Sequence, residues 1–274
     1  MTADRSHMLF TRAWEPADEP VGVVGIVHGL GEHSGRYLHV AEKLVEAGYR
    51  VVAFDHRGHG RYTGKPGLIQ DYDTMLDDVD WFANELCTPN PSAPVFLYGQ
   101  SLGGNLVLNY VLQRQARLEG VVVSSPLLAL TSPPPGWRRA AVRLVHRIWP
   151  SARFRTGLRA EGLSHDPEAV AAYKSDPLVH DFVSARLAVQ MLDAGRWALA
   201  HATEIVVPML LMHGTADPIT SCDATCKFAD GARENCTLKT WPGLLHELHW
   251  EREREEVVKC IIEWMQLRRE DLAK

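Results

Sequence analysis

Short, largely apolar runs alternate with segments of helical character through the first half of the chain. Residues 23–27, 50–54, 95–98 and 121–124 are apolar stretches of strand length, and 37–47, 74–86 and 102–112 read as helices between them. Strands lacking polar alternation belong in a sheet covered on both faces, and intervening helices make that sheet parallel, so the pattern predicts an α/β fold. The alternation stops at Thr131-Ser132-Pro133-Pro134-Pro135-Gly136 and resumes at Ile205-Val206-Val207-Pro208-Met209. Residues 131–203 between these points show helical periodicity and no clear strand. They predict a helical cap inserted after the fourth parallel strand, with 1–130 and 204–274 as the core. In the cap, Trp137, Ala141, Leu144, Val145 and Ile148 share one helical face, and Val183, Leu187, Met191, Ala194 and Ala198 share another. Such faces can pack on the core, roof a site with apolar surface, or do both.

The junction of the strand at 95–98 with the helix at 102–112 carries candidate chemistry. Ser101 stands between Gly99 and Gly103, the pattern of a nucleophile elbow, in which a tight turn holds the hydroxyl out at the carboxyl edge of a sheet. A serine hydroxyl is a poor nucleophile until a neighbouring base takes its proton. Asp217 follows the apolar run 208–213, and His246 follows a last short strand at 237–241 and the turn Pro242-Gly243. The order serine, acid, histidine is that of α/β-hydrolases and differs from the chymotrypsin and subtilisin orders. The oxyanion of an acyl-transfer intermediate needs two fixed donors. The Leu102 amide is one, and the Leu30 amide in the turn His28-Gly29-Leu30-Gly31 is the other. Ser124-Ser125 also follows a strand but lacks flanking glycines.

These residues carry a resemblance. His28-Gly29-Leu30-Gly31-Glu32-His33-Ser34-Gly35-Arg36-Tyr37, Asp55-His56-Arg57-Gly58-His59-Gly60, the elbow, His213-Gly214-Thr215-Ala216-Asp217 and His246-Glu247-Leu248-His249 resemble the monoacylglycerol lipase and lysophospholipase branch of the α/β-hydrolases, often filed with the S33 serine aminopeptidases. The match runs from Leu9 to Trp264, and Tyr62 departs from it where the family usually has serine. The resemblance implies an α/β-hydrolase fold with a mostly parallel, eight-stranded sheet flanked by helices. It implies an ester hydrolase acting on a single-chain lipid ester without a cofactor, with Ser101, Asp217 and His246 as triad and Leu30 and Leu102 as oxyanion donors. It also suggests Glu32 and His249 for the alcohol side of the site. The same machinery serves lysophospholipids, small esters, thioesters or an N-terminal peptide bond, and a hydrolase fold without turnover would be a binding protein. An aminopeptidase needs acidic residues for the free amine, and none lies between 131 and 160.

Composition narrows the picture further. A chain of 274 residues buries roughly three quarters of its unfolded surface, and a net charge of -5 gives no reason to expect nucleic acid. Five scattered cysteines (Cys87, Cys222, Cys226, Cys236, Cys260) argue against a disulfide framework, with Cys222 and Cys226 read as a packed thiol pair on one helical face. His246-Glu247-Leu248-His249 is one residue short of the spacing that sets two imidazoles on one helix face, so no metal is expected. His28, His56, His59 and His213 flank strand ends as loop-fixing hydrogen bonders. Residues 1–7 hold no apolar segment to drive secretion, and no stretch reaches the roughly 20 residues of a membrane span. A cytoplasmic location is therefore expected. Residues 131–160 hold seven arginines and no acidic residue, which predicts contact with anionic lipid surfaces or a solvated face paired with acids elsewhere.

Overall fold

Along the chain the elements are β1 (Thr11–Trp14), β2 (Val23–Val27), α1 (Leu38–Glu46), β3 (Arg50–Phe54), α2 (Tyr72–Trp81), β4 (Val95–Gln100), α3 (Leu102–Gln113), β5 (Gly120–Ser124), α4 (Gly136–Ile148), β6 (Arg153–Arg155), α5 (Pro167–Ser175), β7 (Phe182–Ser184), α6 (Ala185–Ala200), β8 (Met209–Gly214), α7 (Cys222–Ala232), β9 (Cys236–Trp241) and α8 (Arg254–Leu272). This computed structural model describes residues 9–86, 93–114 and 117–272, so Cys87 and residues 1–7 lie outside the described residues. The other four cysteines are free thiols.

Seven strands form the main sheet in the order β1-β3-β2-β4-β5-β8-β9. All pairings are parallel except that of β1 with β3. Every residue of β2, β4, β5 and β8 is buried, as the uninterrupted apolar runs require. One face packs Met75, Leu76 and Val79 of α2, Leu106 of α3, Leu187 of α6 and Phe228 of α7; the other packs Val40 and Leu44 of α1 and Val257, Ile261 and Met265 of α8. This is the α/β-hydrolase arrangement. The expected eight-stranded sheet is corrected to seven strands among the described residues. The stretch 15–22 between β1 and β2 holds two prolines and no period-two pattern, so it forms no strand of its own.

From β2 the chain crosses to β3 on one side, and then enters β4 on the other side of β2. The carboxyl ends of β2 and β4 therefore flank a topological switch point, where open α/β sheets bind ligands. Between β5 and β8 the chain leaves the sheet. It forms α4, α5 and α6 and a two-stranded antiparallel ribbon, Arg153–Arg155 with Phe182–Ser184, where periodicity predicted no strand. The strands are three residues each, too short for a readable alternation. Local signals fix the helices here: Asp166 accepts from Glu168 N at 2.9 Å ahead of Pro167 at the start of α5, and Ser184 accepts from Leu187 N at 3.2 Å at the start of α6.

Candidate active site

Ser101 sits between β4 and α3 with φ 55° and ψ -113°, a conformation that a side-chain-bearing residue holds only when its surroundings impose it. Its N–H donates to Ser124 O at 3.0 Å, and its carbonyl accepts from Asn105 N at 2.9 Å and Leu127 N at 3.0 Å. Gly103 is obligatory, since a Cβ there would lie 1.9 Å from Val27 O. Leu102 opens α3 fully buried, so its amide is one of the helix's unpaired N-terminal donors.

Asp217 and His246 meet across two loops. His246 Nδ1 lies 2.7 Å from Asp217 Oδ2, so Nδ1 carries the proton and Nε2 is left as the basic atom. The carboxylate is held on both oxygens. Oδ1 accepts from the amides of Ile219 at 2.7 Å and Thr220 at 3.1 Å; Oδ2 also meets Thr220 Oγ1 at 2.8 Å and His213 Nε2 at 3.1 Å. Burial alone would raise the Asp217 pKa, but His246 and His213 outweigh it and hold the carboxyl well below the usual range. Burial likewise opposes charge on His246, yet Asp217, with Glu247 and Glu32 beyond it, raises the imidazole above its ordinary value. Gln100 Nε2 donates to His246 O at 3.3 Å, tying the histidine loop to the residue before Ser101.

Glu32 closes the turn after β2. Its Oε1 accepts from Gly29 N at 2.6 Å and Tyr37 OH at 2.7 Å, and its Oε2 accepts from Arg36 at 2.8 Å. The same guanidinium forms two bonds, of 2.6 and 2.7 Å, to Glu247, the residue after His246. A single buried arginine thus joins the turn carrying Leu30 to the loop carrying His246. The Glu32–Arg36 pair at i, i+4 is a readable signal; Glu247, 211 residues from Arg36, leaves none. Thr220 and His213 are likewise visible only as neighbours of Asp217.

Ser101, His246, Leu30 and Glu32 all line one cavity of about 1330 Å³, together with Tyr173 and Met191. His249 is not in its wall. The turn Leu248–Trp250 buries that ring, stacked on Tyr37 at 4.8 Å, so its expected contact with the alcohol side is corrected. Of the two apolar helical faces, the one including Leu187, Met191 and Ala198 is buried against the core. The other is not: α4 lines the cavity but buries none of its residues, leaving Trp137, Leu144 and Ile148 68, 57 and 76% exposed. Arg143 pairs with Asp193 of α6 and Arg155 with Asp181, while Arg139, Arg147 and Arg159 line the cavity and meet no carboxylate within 4 Å among the described residues. No group of three or more metal-binding side chains occurs among the described residues, and no described helix is long and apolar enough to cross a membrane.

Residues 18–253 match the family described as serine aminopeptidase, S33 (Hydrolase_4). An uncharacterized abhydrolase domain-containing protein of Dictyostelium discoideum is 35% identical over 274 residues, covering 99% of this chain and 29% of that protein. The chain therefore spans less than a third of that relative's length. A monoacylglycerol lipase of Mycolicibacterium smegmatis is 32% identical over 254 residues, covering 92% of this chain and 90% of the relative. The crystal structure of Paleococcus ferrophilus monoacylglycerol lipase superposes with a TM-score of 0.88 at 35% identity, covering 95% of this chain and 99% of that one.

Proposed function

The chain belongs to the serine aminopeptidase S33 family, and from that premise we propose that it is a serine hydrolase cleaving monoacylglycerols or similar single-chain lipid esters. Ser101 Oγ attacks the ester carbonyl while His246 Nε2 takes its proton, and the Leu30 and Leu102 amides receive the charge that develops on the carbonyl oxygen. His246 returns the proton to the departing alcohol, leaving an acyl group on Ser101. Water, deprotonated by the same imidazole, then releases the fatty acid. Asp217 fixes the tautomer and stabilises the transient imidazolium. Residues 131–203 act as a cap whose apolar wall takes the acyl chain, and Glu32 offers an acceptor on the alcohol side.

The observation that carries this reading is a strained Ser101 sharing a cavity with a His246 already tied to a buried carboxylate. A fluorophosphonate probe tests it: the wild type should label and Ser101→Ala should not. An unlabelled wild type, or labelling that survives the substitution, sinks it. For substrate class, rates on 1-monoacylglycerols should rise with chain length and exceed those on an amino-acid naphthylamide. Arg36 compensates the charge of both Glu32 and Glu247, so neither presents a free negative charge to a substrate amine, although Glu32 can still accept a hydrogen bond from an alcohol. A faster naphthylamide would make the protein an aminopeptidase.

The pH dependence follows from the imidazole. His246 must be neutral to accept the serine proton, and its pKa is raised, so activity should fall as pH drops through a value above the ordinary 6.5. A kcat/KM profile with an acidic midpoint at or below 6.5 contradicts that assignment.

The exposed apolar residues of α4 and the arginines beside them support peripheral contact with an anionic membrane. At low salt, co-sedimentation with anionic liposomes should exceed that with neutral ones and fall as salt rises. Equal binding to both removes the electrostatic part of this reading.

A further inference from the structure

The residue before His246 is held by a carboxylate that the reaction itself does not use. Glu251 Oε1 accepts from Leu245 N at 2.7 Å, and its side chain is inaccessible to solvent. Its other contacts come from the cap. Oε2 accepts from His165 N at 2.9 Å and meets Ser164 Oγ at 3.3 Å, while Oε1 also meets His165 Nδ1 at 3.0 Å. A carboxylate only accepts, so the His165 ring proton facing it sits on Nδ1. Glu251 thus joins two segments distant in sequence: the loop that enters His246, and residues 164–165 of the cap. Removing it would leave buried N–H groups on both sides without a partner.

The same two segments are tied at further points. Glu247 N donates to Leu163 O at 2.8 Å, Ser164 Oγ donates to Trp250 O at 2.8 Å, and Arg254 donates to Asp166 Oδ2 at 2.8 Å. Leu163 lines the substrate cavity, and a Cβ on Gly162 would stand 2.9 Å from Pro218, the residue after Asp217. This piece of the cap therefore touches both the loop of the acid and the loop of the imidazole. Three bonds fix the backbone about His246: Leu245 N to Glu251, Gln100 Nε2 to His246 O at 3.3 Å, and Glu247 N to Leu163 O. Of these only the first has a charged acceptor, and such bonds are roughly twice as strong as neutral ones.

We infer that Glu251 is the positioning residue for His246: by holding the Leu245 N–H against residues 164–165 of the cap, it sets where the imidazole stands between Ser101 and Asp217. This rests on the serine-hydrolase reading above. Glu251 lies outside the cavity wall, touches no substrate and moves no proton.

Three substitutions separate its two arms. On a soluble p-nitrophenyl ester, Glu251→Ala should lose roughly 10- to 100-fold in kcat, the scale of a displacement of about 1 Å at the reacting groups. KM should change by less than about threefold. Glu251→Gln keeps a carbonyl oxygen for Leu245 N and should recover most of the rate. His165→Ala removes the ring but leaves both amides on the carboxylate, so its loss should not exceed about threefold. Rates are divided by the fraction of sites that a fluorophosphonate labels to completion, so that unfolded protein does not count. The downfield proton resonance of His246 Nδ1–H, bonded to Asp217, should shift or broaden in Glu251→Ala and return in Glu251→Gln. A wild-type kcat per labelled site in Glu251→Ala, an unmoved resonance, or a His165→Ala loss equal to that of Glu251→Ala overturns the assignment. Should Glu251→Ala fail to fold, amide exchange in the wild type decides the matter. A Leu245 N–H that exchanges as slowly as the amides of β8, and slower still with a boronic acid on Ser101, supports the role; fast exchange overturns it. An unlabelled wild type would instead mark failure of the serine-hydrolase reading itself.

Discussion

Ser101→Ala should lower kcat for ester hydrolysis by roughly 10⁴- to 10⁶-fold, and His246→Ala should do so to a similar extent. The two groups act as one device, since the hydroxyl attacks only as the imidazole removes its proton. The double variant should therefore be no slower than either single one. Asp217→Asn should also be severe, by about 10⁴-fold, because an amide offers His246 Nδ1 no charge and can leave the imidazole in the wrong tautomer. Asp217 takes five hydrogen bonds, from His246, His213, Thr220 and two amides, so that substitution also disturbs an acceptor-only cage. Stopped assays on a p-nitrophenyl ester, with circular dichroism to verify folding, measure all four variants. Additive losses in the double variant, or a Ser101→Ala protein with a tenth of wild-type activity, would be fatal to the mechanism.

The second large effect is expected at Arg36→Leu, and it falls on stability. The substitution leaves Glu32 and Glu247, both nearly inaccessible, facing each other without the guanidinium between them. Removing one partner of a buried ion pair costs about 3–5 kcal/mol, because the remaining charge has neither water nor counterion. The pH dependence has a definite sign. Burial raises the Glu32 carboxyl above its ordinary value even with Arg36 present. A group raised in the folded state adds stability below its unfolded value and loses it as pH rises through the folded one. Without Arg36 the elevation grows, so the deficit measured by urea unfolding at pH 7 should shrink toward pH 5. A deficit below about 1 kcal/mol, unchanged between those pH values, would show that the cluster is not the strap described here.

The strands are the most legible part of the chain, because β2, β3, β4, β5 and β8 are covered on both faces and therefore apolar but for a residue at or near an end, such as Arg50, Gln100, Ser124 and His213. The edge strand β1, with residues alternately exposed and half-buried, carries only four residues of pattern and is easily passed over. Ser101, Asp217 and His246 are legible for a related reason: each follows a strand, and a parallel sheet gathers its strand ends along one edge. What lies behind them is not legible. Glu247 looks like any charged residue in a loop until Arg36 is brought from the far end of the chain. His249 shares a motif with His246, yet a short helical turn after Glu247 swings its ring into the interior. Helix α4 shows the opposite limit, because its apolar face is unmistakable in sequence while periodicity cannot say that the face is left uncovered.

Arg36 and Glu247 also set the order in which the molecule can be finished. Their separation of 211 residues means that, on the ribosome, Glu32 and Arg36 emerge long before the carboxylate that completes their cluster. At about 5–20 residues per second that interval is roughly 10–40 s. Through it the turn bearing Leu30 is fastened on one side only, and β8 and β9, which carry the loops of Asp217 and His246, have yet to join the sheet. Hydrolytic competence thus waits until His246 and Glu247 have emerged, and a product cut short before residue 246 would hold the elbow without the means to use it.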